Sequence, residues 1–407
     1  VVEKHRPDEV LDNAIALSYL SVFDPKWFVD FLQKCVHGRK VMFIGGENLC
    51  NSALVKKTFD VDKFISLPMK DAFYALDEDK MSEIIRVAQD HDIVICAAGM
   101  ATRVLAQRLW DRKVRIDFID IGSIADGLAG LETRTWIKCI DINDYQNNYS
   151  SIFMPVKTDI VVLTHGQEEK TINCFKSIAE NTENYRVIWV DNGSGKESIE
   201  KVKPIAEKLE KYELIELDEN LGFSKGVNTG LRKILYDNAC EYVVLLNNDT
   251  IVSKNWVKNL VSTLLVGELN VVGPLTSENN PQSLDALREV VNDLPKFKKE
   301  TVEERAEILW KKYGTTCFEV SGMLSFFCTL MHKETLEQIG LLDENIFAYG
   351  EDNDMCERAK RLKMKMGLSL GSYVHHDHHA TSKTMGEDWI EKEKKKSGKY
   401  LYQKWNK

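Results

Sequence analysis

Short runs of β-branched and apolar residues alternate along the chain with longer stretches whose apolar positions recur every three to four residues, the pattern of layered α/β structure. In the first part, residues 41–44, 92–96 and 116–120 predict buried strands with helices between them. From 141 to 151 the chain turns polar and irregular, and a domain boundary is placed there, giving domains 1–150 and 151–407. A second series follows at once: 159–164 predicts a strand, 170–181 an amphipathic helix, 186–190 a strand ending at Asp191, and 242–246 a strand running into Asn247-Asn248-Asp249. Polar groups at the carboxyl ends of successive strands point to a ligand crevice there. The richly charged, helix-patterned stretch 281–314 reads as an insertion. The chain ends in a predicted Lys-rich helix, packed by Trp389, Tyr400, Tyr402 and Trp405 with its basic face in water.

Length supports this division, because 407 residues exceed one ordinary core. No apolar run reaches the length that crosses a bilayer, and residues 1–7 lack the charged-then-apolar order of a signal peptide. The expectation is a cytoplasmic protein, with peripheral contact at the inner face of the membrane and homo-oligomer formation both compatible with it. Nine scattered cysteines without a C-x-x-C pair fit reduced thiols better than a disulfide framework or a zinc ribbon. A net charge of −9 argues against a general nucleic-acid binder, which needs excess Lys and Arg. A phosphate-bearing small molecule would need local help from a metal or from backbone amides.

Five motifs carry candidate chemistry. Thr164-His165 and Asp191-Asn192-Gly193-Ser194 close two strands; a strand-terminal Asp can accept the imide N–H of uracil or thymine, although the second motif by itself is also an ordinary turn. Glu219-Asn220-Leu221-Gly222-Phe223-Ser224-Lys225-Gly226-Val227-Asn228-Thr229-Gly230 supplies glycines for close backbone approach and amides that satisfy main-chain groups or sugar hydroxyls. It matches neither the dinucleotide nor the P-loop pattern. Asn247-Asn248-Asp249 offers oxygen donors suited to a hard divalent cation. In Glu351-Asp352-Asn353-Asp354, a carboxylate can take a hydroxyl proton, while helix-dipole complementation explains the same acidity; Asp354 and Arg358 read as an i,i+4 ion pair. His375-His376-Asp377-His378-His379 concentrates imidazoles, and His376 with His378 would share one strand face as an alternative zinc site.

Taken in this order, the motifs over 159–384 resemble the family 2 glycosyltransferases, particularly the rhamnosyltransferase-like branch. The resemblance implies a GT-A nucleotide-diphospho-sugar transferase, a mixed-sheet α/β/α domain performing inverting transfer to a hydroxyl of a glycan or glycolipid acceptor, as in surface polysaccharide synthesis. Thr164, His165, Asp191, Asn220, Gly222, Lys225, Asn228, Asn247, Asn248 and Gly322 would then bind a UDP- or dTDP-sugar. Asp249 stands at the family's D-x-D or N-x-D position and His376 precedes Thr381 at the family's spacing, which implies that they hold Mn²⁺ or Mg²⁺. Asp352, with Glu351 next in line, falls at the catalytic base. The family usually carries Tyr-Asn where His165-Gly166 stands.

Residues 40–136 resemble the C-terminal part of GT-D glycosyltransferases, through Phe64-Ile65-Ser66-Leu67-Pro68-Met69-Lys70-Asp71, Ala98-Gly99-Met100-Ala101-Thr102-Arg103 and Ile119-Asp120-Ile121-Gly122-Ser123. The family's acidic metal motif is absent and Ser123 replaces its usual His. The expectation is an incomplete Rossmann-like domain that binds nucleotide, serves as scaffold, or is a truncated second transferase. A non-catalytic nucleotide-sugar or glycan binder, and a bifunctional protein with a second site, are the alternatives.

Overall fold

Six consecutive apolar or glycine residues make the first strand, β1 (Val41–Gly46), which is buried along its whole length. The computed structural model describes residues 14–68, 72–276, 282–288, 290–291, 293–377 and 386–406. Contacts divide the chain into two compact units, Val1–Met154 and Pro155–Lys407. In the first unit, β1 pairs in parallel with β2 (Val61–Leu67) and β3 (Ile93–Ala97), and β4 (Asp117–Asp120) pairs in parallel with β3. The order β2-β1-β3-β4 is a parallel, Rossmann-like sheet. Helix α1 (Met100–Asp111) leaves β3 through Gly99, whose φ of 57° suits glycine. Met69, Lys70 and Asp71 lie outside the described residues.

The polar stretch 141–151 is not irregular. It folds as α2 (Ile142–Phe153), capped by the Asp141 side chain, which accepts the N–H groups of Asn143 and Asp144. Tyr145, Tyr149 and Phe153 recur every fourth residue and are buried, and the two tyrosine hydroxyls donate to Ser21 Oγ and Ser21 O. Three large rings on one face outweigh the amide-rich remainder.

The second unit is built on a mixed nine-stranded sheet. Its parallel half joins β5 (Thr158–Thr164), β6 (Tyr185–Asn192), β7 (Tyr212–Leu217) and β8 (Tyr242–Asn247). The remainder comprises β9 (Thr250–Val252), β10 (Val271–Leu275), β11 (Cys317–Glu319), β12 (Cys328–His332) and β13 (Met366–His376). The order is β11-β13-β10-β12-β8-β5-β6-β7, with β9 paired to β13 alone. Apolar side chains from both sheet faces feed two cores, one around Leu231 and Leu275, the other around Trp189 and Trp256. This is the mixed-sheet α/β architecture expected of the second domain.

At the near end of β5 and β6, Arg186 bonds Asp159 through two nitrogens (3.0 and 2.5 Å) and Asp237 (2.5 Å), with Arg186 and Asp159 almost wholly buried. Such a pair is costly to break from one side. The charged insertion is less helical than its pattern predicts. Pro281 lies outside the described residues, 284–287 makes one turn, and among the described residues of the stretch only α4 (Val302–Tyr313) is a full helix, opened by a Thr301–Glu304 capping box. Helix α3 (Phe223–Asp237) follows the glycine loop, α5 (Glu351–Arg361) carries the acidic motif, and α6 (Glu387–Trp405) ends the chain.

Candidate functional site

The parallel register sets one polar rim. Thr164 at the end of β5 is the partner of Asp191 on β6, and Leu163 is the partner of Asn247 on β8. Asp191 is 2% exposed; its Oδ2 accepts the Ser194 N–H at 2.9 Å and its Oδ1 the Thr164 hydroxyl at 3.3 Å. The Trp189 indole N–H in turn donates to Thr164 Oγ1 at 2.9 Å. Exposed His165 brings Nδ1 to within 2.9 Å of the Asn192 carbonyl oxygen, while the Gly166 N–H donates to Ser194 Oγ. Gly193 closes the turn at φ 76°, and a Cβ there would meet the Glu219 and Asn220 backbone at 2.6–2.8 Å. The turn-forming sequence therefore brings β6 against the start of the glycine loop.

Within that loop, Asn220 Oδ1 accepts from Asn192 Nδ2 and from the Gly222 N–H, so its amide oxygen organises the turn. Gly222 has φ 84° and abuts Phe347, whose carbonyl accepts the Phe223 N–H at 2.7 Å. Asn228 is fully buried and binds both the N–H and the carbonyl of Leu342, with Glu344 as a third partner. Of the two roles open to these asparagines, the main-chain one is what the structure gives them. Lys225 is exposed. Gly322 is also exposed, with nothing within 4 Å of where a Cβ would stand.

The turn after β8 gathers the third motif. Asp249 Oδ1 lies 3.1 Å from His376 Nε2, with both side chains less than a tenth exposed. Asn247 Nδ2 is 3.4 Å from the same imidazole nitrogen, whereas Asn248 Nδ2 turns to Thr171 Oγ1 at 3.0 Å. The imidazole stacks on Phe327 at 4.8 Å. Asp377 donates its N–H to the Asp249 carbonyl and forms an ion pair with Lys170. His378, His379 and Thr381 lie outside the described residues. Among the described residues no group of three or more His, Cys, Asp or Glu forms a ready-made metal cage. One carboxylate and one imidazole meeting at a buried point nevertheless fit a divalent cation that takes its other ligands from phosphate oxygens and water.

Glu351 and Asp352 open α5 behind two left-handed residues, Tyr349 (φ 63°) and Gly350 (φ 114°). A non-glycine residue in that region stores backbone strain. Burial, followed by the neighbouring Asp352 charge, pushes the Glu351 carboxyl up to about 8. Burial raises Asp352 as well, against the opposing N–H of Asn353, which bonds Asp352 Oδ1 at 2.8 Å. Among the described residues no partner reaches Glu351 Oε2. Two adjacent carboxyls that burial biases toward the protonated form are candidates for proton transfer. Asp354 and Arg358 form the expected i,i+4 pair at 3.0 Å. Phe347, Tyr349 and Phe327 carry no chemical signal in the sequence; their places around the site come from packing alone.

In the first unit, a cavity of about 740 Å³ opens beside the carboxyl ends of β3 and β4. Gly99, Ser123, Asp126, Arg134 and Trp136 line it, beside the stacked pair Tyr19 and Phe23.

The family model described as Glycosyl transferase family 2 matches residues 159–340, which places a glycosyltransferase domain over that segment. No curated protein matches the chain. Among solved structures, GalNAc-T7 with UDP, GalNAc and Mn²⁺ is similar at 14% identity and a TM-score of 0.40, over 55% of this chain and 44% of that one. The mannosyltransferase PcManGT from Pyrobaculum calidifontis, with GDP-Man and Mn²⁺, is similar at 16% identity and a TM-score of 0.40, over 55% and 57%. TarS 1–349 of S. aureus with UDP follows at 15% identity and a TM-score of 0.39, over 54% and 60%. The chain thus spans between 44% and 60% of the length of these structures.

Proposed function

We propose that the family 2 domain transfers a sugar, with inversion, from a UDP- or dTDP-sugar to a hydroxyl of a glycan or glycolipid acceptor. The observation that carries this reading is the Asp249–His376 pair, set at the same strand-end rim as Asp191; Asp191 and Asp249 lie inside the segment matched by the family, and His376 follows it. Asp191 and the backbone around Gly193 would receive the pyrimidine, and the glycine loop would run beside the donor. Asp249 and His376 would hold Mn²⁺ or Mg²⁺, which when bound neutralises charge growing on the diphosphate. Asp352 would take the acceptor hydroxyl's proton as that oxygen bonds the anomeric carbon and the opposite bond to the diphosphate breaks. The burial that raises the Glu351 and Asp352 carboxyls supports this assignment, because a raised carboxylate binds a proton more strongly than a free one. The rhamnosyltransferase-like branch, surface polysaccharide synthesis and a cytoplasmic location remain part of this proposal. Among the described residues no helix is long and apolar enough to cross a membrane.

The test is nucleoside diphosphate release by purified protein from a panel of UDP- and dTDP-sugars, with Mn²⁺ or with chelator. Release that stops in chelator is expected. Full release in chelator defeats the metal assignment, and binding without any release defeats the transferase reading in favour of a non-catalytic binder.

The cavity in the first unit favours a second reading, in which that unit holds its own nucleotide as a GT-D-like remnant. Its volume lies in the range of small-molecule sites. Calorimetric titration with UDP would then give two sites per chain, and one site confined to the second unit would exclude it.

A further inference from the structure

Helix α6 brings Lys404 onto two carboxylates, Asp343 and Asp354, that flank the Glu351–Asp352 pair. Its ammonium donates to Asp343 Oδ2 at 2.6 Å and to Asp354 Oδ1 at 2.5 Å. The Asp354 side chain is 0% exposed and that of Asp343 11%, so each charge needs a nearby cation. Arg358 answers one side of Asp354, at 3.0 Å from Oδ2, and Lys404 bridges the rest. Burial opposes charge on Asp343, but Lys404, the Asn345 N–H and the Tyr400 hydroxyl outweigh it and hold the carboxyl well below its usual range. The same helix lays Leu401 and Ser397 against Gly350 and sets Trp389 edge-on to Phe347 and Tyr349. Between the two bridged carboxylates lie the left-handed Tyr349–Gly350 turn and then Glu351 and Asp352.

We propose that Lys404 is a positioning residue for the Glu351–Asp352 pair: its double ion pair clasps both ends of segment 343–354 and holds the turn that aims these carboxylates. The role rests on the transferase reading above. A strained turn persists only where surrounding contacts over-determine it. Without Lys404, Arg358 still answers Asp354, and Tyr400 with Asn345 still answers Asp343. The fold therefore survives while the segment loses its closure. Loss of orientation of this kind lowers turnover more than it lowers binding.

The test compares the full chain with Lys404→Met, Lys404→Arg and Asp343→Asn. Three quantities are read: UDP affinity with Mn²⁺, kcat for UDP or dTDP release from whichever donor the wild type turns over, and amide exchange across 343–354. Lys404→Met is expected to lower kcat about tenfold or more, leave the UDP Kd within about threefold, and speed exchange in 343–354 without exposing β5, β6 or β8. Lys404→Arg should recover most of the turnover. Should Lys404→Met fail to fold, Asp343→Asn opens the clasp from the other side with the same expectations. Unchanged kcat and exchange overturn the proposal, as does a loss that spreads through β5, β6 and β8 and is not rescued by arginine. Faster exchange in Lys404→Met beside a wild type inactive on every donor would instead defeat the transferase reading and leave the clasp standing.

Discussion

Asp249 Oδ1 and His376 Nε2 stand 3.1 Å apart across 127 positions of sequence. The antiparallel pairing of β9 with β13 makes this meeting, because it sets His376 opposite Thr250, the residue after Asp249. If the two side chains share a cation, their loss is not additive. Asp249→Asn and His376→Ala should each weaken Mn²⁺-dependent UDP binding about tenfold or more, the scale set by removing one of few protein ligands. The double variant should be little worse than the worse single one. Calorimetry with and without Mn²⁺ checks this, and equal UDP affinity in both conditions would refute it.

Asp352→Asn removes the proposed base while keeping its shape. Turnover should fall by roughly two orders of magnitude, with UDP affinity within about twofold of wild type. Pre-steady-state release of nucleoside diphosphate separates the chemical step from product departure, and an unaltered chemical step would reassign the base.

Glu351 links the site to stability. Its carboxyl is raised from 4.5 to about 8, first by burial and then by Asp352. The folded chain therefore keeps a proton that the unfolded chain releases, and stability falls as pH climbs from about 4.5 to about 8. Glu351→Gln removes that penalty. Its Tm should match wild type near pH 4.5 and rise progressively above it as the pH approaches about 8.5, as read by circular dichroism melts. A gap that is constant across pH would show that ionisation of Glu351 is not the cause.

Gly222 cannot carry a side chain. Its φ is 84°, and a Cβ would stand 2.7 Å from both the ring and the carbonyl oxygen of Phe347. Gly222→Ala should push the glycine loop from Phe347, break the Phe223–Phe347 hydrogen bond and weaken UDP binding, with a Tm loss on the order of a few degrees. Differential scanning and UDP titration report both effects.

Much of this architecture is legible in the sequence, because the strands that build the rim are continuous apolar runs that end on polar residues, as at Val190-Asp191 and Leu246-Asn247. The i,i+4 pair of Asp354 and Arg358 is legible too, since its geometry is local. Helix α2 is hidden because three aromatic rings carry it among amides that read as a linker. The insertion misleads in the opposite direction, since charge periodicity alone suggests more helix than packing supports. Along α6 the aromatic residues announce packing, yet nothing local marks Lys404 among so many lysines. Its partners Asp343 and Asp354 lie 61 and 50 positions away.

Strand β13 is paired at both ends to different neighbours. Ser369 faces Pro274 and Tyr373 faces Leu275, so four residues of β13 advance where β10 advances one, after which Val374 to His376 run against β9. The bulge works as a spacer of fixed length between the main sheet and the imidazole. One inserted or deleted residue would present the opposite strand face at position 376, leaving the sheet paired and the histidine turned away from Asp249.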